Sequence, residues 1–315
     1  MDLTVFILLL LFEIVYLRVA RRRALLSIPG QRSSHSSPTV VGGGIVFVAA
    51  AVAAFLVTDA SWPLMMTGLA VAAAVSFIDD LRPTPVSLRL LVQIVAVALM
   101  IADTGFTSSA PPLALVLIAF VALGMLNACN FMDGINGMAA LYTLAVAVPL
   151  AGAFGAAPVP AVWLRFTIMA ALIFGFFNFR RHALCFAGDV GSISSGFILI
   201  FLLLNLIATT GEVWYAIFMI VYAVDAGLTV LHRLLLRRNI FLGHRMHLYQ
   251  LLCNEGRLDH RAVALAYALL QLAISFTAIM LPGGRIVFGI CIAAVLCAIY
   301  ISLARRLFPL QQEAA

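Results

Sequence analysis

The chain has 315 residues, of which 64% are hydrophobic and only 10% charged, and its mean hydropathy is +1.13. This excludes a soluble globular domain and places the chain among polytopic membrane proteins. The formal net charge of +6 arises from 19 basic residues, all of them Arg; in a membrane protein such an excess reports topology first, so nucleic acid is not an expected partner.

The first apolar run, 3–19, follows Met1-Asp2 and precedes Arg18, Arg21, Arg22 and Arg23 without a small-residue cleavage site. It reads as a retained span with the N-terminus outside and the arginines in the cytoplasm. Ten more apolar segments follow, at 41–57, 62–78, 88–102, 112–126, 138–154, 161–177, 193–208, 213–231, 263–281 and 286–303. Each is close to the roughly 17–20 residues that cross a bilayer core. The expectation is an all-α, polytopic membrane helix bundle of about eleven spans, forming a single domain over 1–315 with a cytoplasmic C-terminus. Threading the chain on that basis leaves only Arg165 and Arg285 outside and the other 17 arginines inside, as the positive-inside rule requires. Five cysteines form no C-x-x-C pair, so neither a zinc ribbon nor a disulfide framework is expected.

The outside links are short and plain, whereas five polar islands fall on the cytoplasmic side. The first runs from Arg32 through His35 to Pro38 and leads to Gly42, Gly43 and Gly44. These glycines suit either an anion at a helix N-terminus or close helix packing. The second holds Asp79-Asp80, adjacent carboxylates that repel unless a cation or proton joins them, or that merely form a solvated helix end. The third, residues 127–137 (NACNFMDGING), carries Asn127, Asn130, Asp133 and Asn136. Polar groups and non-helical backbone are costly in lipid, so this stretch is either a functional cleft or a tight turn capped by Asn and Gly. The fourth runs from Asn178 to Ser192 with Asp189 between Gly188 and Gly191, where glycines admit a phosphate–metal group. The fifth, 233–260, holds His244, Arg245 and His247. The two histidines stand at i, i+3 with no third ligand spaced for zinc, and contact of Arg245 and His247 with a phosphate or diphosphate is the better reading.

Four carboxylates, Asp79, Asp80, Asp133 and Asp189, thus gather on one side of the membrane with many arginines. Two anionic phosphates meeting about 4 Å apart repel by roughly 4 kcal/mol at an effective dielectric of 20. A divalent cation and Arg cancel that repulsion and stabilise a leaving phosphate, so catalysis there is positioning and electrostatics. A secondary transporter is the rival class, but it places polar residues near the midplane, often in inverted repeats, and no repeat is visible here.

Taken together and in order, the islands resemble the polyprenyl-phosphate N-acetylhexosamine-1-phosphate transferases over nearly the whole chain. The resemblance rests on Asp79-Asp80, the Asn127…Asn130-Phe131-Met132-Asp133-Gly134 stretch, Phe177-Asn178-Phe179, Gly188-Asp189-Val190-Gly191-Ser192 and the His247 box. It implies a bacterial plasma-membrane enzyme with a cytoplasmic site. Such an enzyme passes an amino-sugar-1-phosphate from a UDP-amino sugar to undecaprenyl phosphate, releases UMP, uses Mg²⁺ with Mn²⁺ as a substitute, and often forms a homodimer. It further implies that Asp189 and Asp133 hold the metal, and that Asp79 and Asp80 carry the base for the lipid phosphate. Asn127, Asn130, Asn136, Asn178, Arg245 and His247 would then line the substrate cleft. This chain departs from the family pattern at Asn136, often Asp; at His182 and Leu184, where Pro and a basic residue are usual; at Tyr249, where the box loses a histidine; and at Arg89, commonly Lys. The His244-Arg245-x-His247-Leu248-Tyr249-Gln250 form is most similar to the O-antigen-initiating subgroup. Asp225, inside the ninth span, is expected to face inward with a structural or cleft-shaping role.

Overall fold

The computed structural model describes residues 1–29, 37–155, 157–239 and 244–313, with side chains to residue 308. Arg32 to Ser36 of the first island and residues 240–243 of the fifth lie outside the described residues. Helix α1 (Asp2–Arg22) leads into a two-residue hairpin, β1 (Leu26–Ser27) paired antiparallel with β2 (Thr39–Val40). Then come α2 (Ile45–Val57), α3 (Pro63–Leu81), α4 (Val86–Ala102), the single turn α5 (Phe106–Ser109), α6 (Pro112–Phe131) and α7 (Met138–Phe154). They are followed by α8 (Pro158–Asn178), α9 (Gly188–Thr210), a 3₁₀ segment (Val213–Met219) running straight into α10 (Ile220–Leu235), the short α11 (Leu248–Asn254), α12 (His260–Met280) and α13 (Arg285–Glu313). The protein is an all-α polytopic membrane protein. Among the described residues, eight helical segments are long and apolar enough to cross a membrane, and the shorter apolar helices α2, α4 and α7 stand where three further spans are expected.

Local chemistry sets the helix ends. Proline opens α3, α6 and α8, where its missing N–H costs nothing. Gly137 and Gly155, both at positive φ, bracket α7, and Gly211 closes α9 in the left-handed conformation.

Helix α9 is the axis of the bundle. It packs against α2, α3, α6 and α7, and 83% of its most apolar window is buried, against 17% for α6 and α13. Close approach is possible because its first turns are built of small residues: a Cβ on Gly191 would strike the backbone of Gly44 at the head of α2. Of the two readings of the glycine triplet, packing is therefore the one realised. The amides of Gly43 and Gly44 donate to Phe186 O (2.9 Å) and Ala187 O (3.0 Å), which leaves them unavailable to an anion. The same bonds, with a parallel bridge between Val40 and Cys185, tie the hairpin to the loop that delivers α9.

Two islands differ locally from the sequence reading. Residues Asn127 to Phe131 continue α6 instead of leaving the helix, and only 132–137 form the turn. Asn127 tolerates this because its amide donates to Leu123 O and to Gln93 Oε1, both at 2.9 Å. In the fifth island, His244 and His247 do not share a helix face. They precede α11, with His247 as its N-cap, and their rings stack at 4.9 Å.

Candidate active site

The ends of α3, α4, α6 and α9 bring the aspartates together. Asp80, on the last turn of α3, accepts the amides of Asp189 (2.8 Å) and Val190 (3.1 Å). It thus satisfies two of the open N–H groups at the head of α9. Gly188 makes this possible: it sits at φ +71°, and a Cβ there would collide with the Asp80 carboxylate. Neighbouring Asp79 points elsewhere. It accepts the amide (2.6 Å) and hydroxyl (2.7 Å) of Thr84 and pairs with Arg89 Nη1 at 2.6 Å. The same Arg89 nitrogen lies 3.4 Å from Asp189 Oδ2, so one guanidinium at the head of α4 spans two carboxylates. Asn130 donates to Asp189 Oδ1 and to Ser192 Oγ, both at 3.0 Å.

Two cavities meet here. A polar one of about 290 Å³ is lined by Asp80, Asn130, Asp133, Asp189, Ser192 and Gln250, with Asn178 and Phe186 at its wall. An apolar one of about 320 Å³ runs between α3, α4, α6 and α9, with Val75, Leu90, Phe120 and Leu123 on its walls. It ends at Arg89, Gln93, Asn127, Asn130 and Asp189. Asn130 and Asp189 line both.

Asp133 lies just past α6, half-buried on the wall of the polar cavity. Burial first, then the charges of Asp189 and Asp80, push its carboxyl up to about 7. Asp80, Asp133 and Asp189 line this cavity with carboxylates, an oxygen donor set that fits Mg²⁺ or Mn²⁺. Among the described residues, no three acidic, His or Cys side chains already stand at ligand spacing. Substrate oxygens and water would complete the shell of an ion held by Asp189 and Asp133, in the manner Mg²⁺ prefers.

Other candidates hold the walls. Asn136 donates to Arg180 O (2.9 Å) and Arg181 O (3.3 Å). Asn178 accepts from Gly137 N (2.6 Å) and donates to Cys185 O (2.8 Å). Both fasten the 132–137 turn to the loop before α9. His247 is 1% exposed and lines neither cavity; its Nδ1 is 3.5 Å from Asp225 Oδ1. Half-buried Arg245 is likewise absent from both cavity walls. His244 is pushed down to about 3 by burial, His247 and Arg233, and is neutral at pH 7. Asp225 faces inward as expected: it accepts Leu248 N (2.9 Å), Tyr249 N (3.3 Å), Tyr267 Oη (2.7 Å) and Thr229 Oγ1 (3.3 Å), which pins the head of α11. Tyr249 Oη then donates to Phe131 O at 2.8 Å, joining α11 to the end of α6.

Three residues escaped the sequence reading. Thr84 follows the Asp pair by five residues and is a hydroxyl in cap position. Gln93 is a lone amide one turn beyond Arg89 inside an apolar run. Glu13 is an acid within the first span, a signal in its own right; it is wholly buried, and its Oε1 is 4.0 Å from Cys185 Sγ.

Comparison with known proteins agrees with this architecture. Residues 62–207 match the family model for glycosyl transferase family 4. It is 27% identical over 301 residues, 89% of this chain and 83% of the relative, to a probable undecaprenyl-phosphate N-acetylglucosaminyl 1-phosphate transferase of Bacillus subtilis. It is 26% identical over 306 residues, 85% of this chain and 82% of the relative, to the undecaprenyl-phosphate alpha-N-acetylglucosaminyl 1-phosphate transferase of Yersinia pestis. A stretch of 80 residues, 25% of this chain and 23% of the relative, is 39% identical to the phospho-N-acetylmuramoyl-pentapeptide-transferase of Deinococcus radiodurans.

Proposed function

We propose that this protein transfers an N-acetylated amino-sugar-1-phosphate from a UDP-sugar to undecaprenyl phosphate, releasing UMP, at the cytoplasmic face of a bacterial plasma membrane. The product would start a lipid-linked surface polysaccharide of the O-antigen type. The observation that carries this reading is the meeting of an apolar groove and a polar, acid-lined cavity at Asn130 and Asp189. A lipid phosphate has a greasy route to that point, and a nucleotide sugar has a wet one. The names of the two long relatives support undecaprenyl phosphate as acceptor and an N-acetylated amino-sugar 1-phosphate as the group transferred.

In this reading an oxygen of the lipid phosphate attacks the sugar-linked phosphorus. A new P–O–P bond forms as the bond to the UMP phosphate breaks. The acceptor needs little activation, since the second pKa of a phosphate monoester is about 6, and direct attack is favoured over an aspartyl intermediate. Arg89 draws the acceptor phosphate to the mouth of the groove, while its pairing with Asp79 and Asp189 fixes its direction. Asp80 holds the head of α9, and hence Asp189, in place. Of the aspartate pair only Asp80 lines the polar cavity, which makes it the better placed to take a proton from the acceptor. Mg²⁺ bound by Asp189 and Asp133 would neutralise the diphosphate and the departing UMP.

The test is isotope exchange: purified protein, labelled UMP, undecaprenyl phosphate and a panel of UDP-amino sugars, with and without Mg²⁺. Metal-dependent exchange of label into one donor is the expected result. Absence of exchange with every donor would remove the proposal.

A further inference from the structure

A third cavity, of about 440 Å³, opens between the ends of α1 and α8, away from the aspartates. Ile14, Leu17, Phe177 and Leu184 form its apolar part, and Arg18, Arg21 and Arg22 form its rim. The α1 residues recur at helical spacing, so one face of that helix offers hydrocarbon and then, a turn further on, three guanidinium groups. Among the described residues, no acidic side chain lines the groove. Among the described residues, none of the three arginines is ion-paired, although Arg89, Arg165 and Arg261 are. Three exposed cations over an apolar floor at the end of a membrane helix are complementary to one kind of molecule, an acyl chain ending in an anionic head.

We propose that this groove binds an anionic glycerophospholipid, its phosphate held by Arg18, Arg21 and Arg22 and an acyl chain lying on Leu17, Phe177 and Leu184. A zwitterionic lipid would bring an ammonium group to three cations. The polyprenyl substrate is the poorer occupant, because its phosphate has to reach Asp189 and Asn130, which line other cavities. The site also has a mechanical link to the catalytic wall. Leu184 N donates to Phe177 O at 3.0 Å, and two residues on Phe186 N donates to Val40 O at 2.8 Å, with Phe186 and Gly188 lining the aspartate cavity. A lipid seated against Leu184 braces the outer side of the loop whose inner side frames Asp189.

The test uses full-length, delipidated protein and counts lipids retained in native mass spectrometry during titration with phosphatidylglycerol or phosphatidylcholine. Wild type should hold phosphatidylglycerol at least tenfold more tightly. Each Arg→Gln change should weaken it about fivefold, and R18Q/R21Q/R22Q together about 100-fold, from the usual contribution of a basic residue near an anionic surface. The control R257Q/R305Q/R306Q removes equal charge elsewhere and should bind as wild type. Leu184→Trp fills the groove, keeps every charge and should also weaken binding, which keeps the test alive if the triple variant does not fold. Equal affinity for the two lipids, equal loss in the control, unchanged binding in Leu184→Trp, or one-for-one displacement by undecaprenyl phosphate would each overturn the site. None of these readings depends on the transferase activity.

Discussion

Asp225 is a buried acid and Asp80 and Asp133 are half-buried ones in an apolar protein, and each is accommodated differently. Asp80 caps a helix, Asp225 gathers four donors, and Asp133 has little besides a backbone amide at Ala139. The last arrangement has a measurable consequence. With its carboxyl pushed up to about 7, Asp133 keeps its proton below neutrality, and a cation must displace that proton. Metal affinity, and turnover at limiting metal, should therefore rise with pH through about 7, and Asp133→Asn should remove that dependence. In the metal-free protein the sign reverses for stability. The folded value lies above the unfolded one, so the contribution is complete below the ordinary carboxylate range and is lost as pH rises through about 7; melting at pH 5 and pH 8 without metal checks it. At Asp189 the expectation is loss of turnover in Asp189→Asn with the melting temperature nearly kept, since the charge changes and the shape does not. Wild-type rates in that variant would remove Asp189 from the chemistry.

At the level of elements, α11 and the α2–α9 contact are the most sensitive. Asp225→Ala would leave the Leu248 amide and the Tyr267 hydroxyl without their partner in a buried place. A cost of about 3 kcal/mol or more is expected, visible as early loss of protection of 248–254 in hydrogen exchange. Because Tyr249 ties α11 to Phe131, turnover should fall as well. Gly191→Ala places a methyl group against Gly44, and overpacking of this kind costs about 1–3 kcal/mol; a lowered melting temperature checks it. The 138–154 run was legible to the residue because glycines stop α7 at both ends. The helical state of Asn127 to Phe131 was not legible, because the partners that satisfy those amides, Gln93 and Asp189, lie 34 and 59 residues away in sequence.

Across the whole molecule, the two ends of the bundle differ in kind. At one end the contacts are plain, as in Asp2 with Arg165 (3.9 Å) and Asp103 capping Met65 N (2.7 Å). At the other lie the aspartates, the loops and nearly all the arginines. The proposed orientation predicts that a single cysteine introduced at Gly283 reacts with an impermeant maleimide in intact cells, whereas one at Arg257 reacts only after permeabilisation. The reverse pattern would invert the topology.

Composition and the spacing of apolar runs determined by themselves that this is an all-α membrane protein, because unbroken apolar runs of helix length satisfy their backbone in lipid within the segment, whereas barrel strands are short and alternate. The order of the polar islands singled out the acids that the structure brings together. Only the tertiary structure decided what each one does: that Asp80 caps α9 while Asp79 turns to Arg89, that the glycine triplet packs, and that His247 serves Asp225. Those outcomes depend on which groups approach across the bundle, and the approaches of Asp80 to α9 and of the glycines to the loop before it join residues 100 or more positions apart. Local pattern carries no record of them.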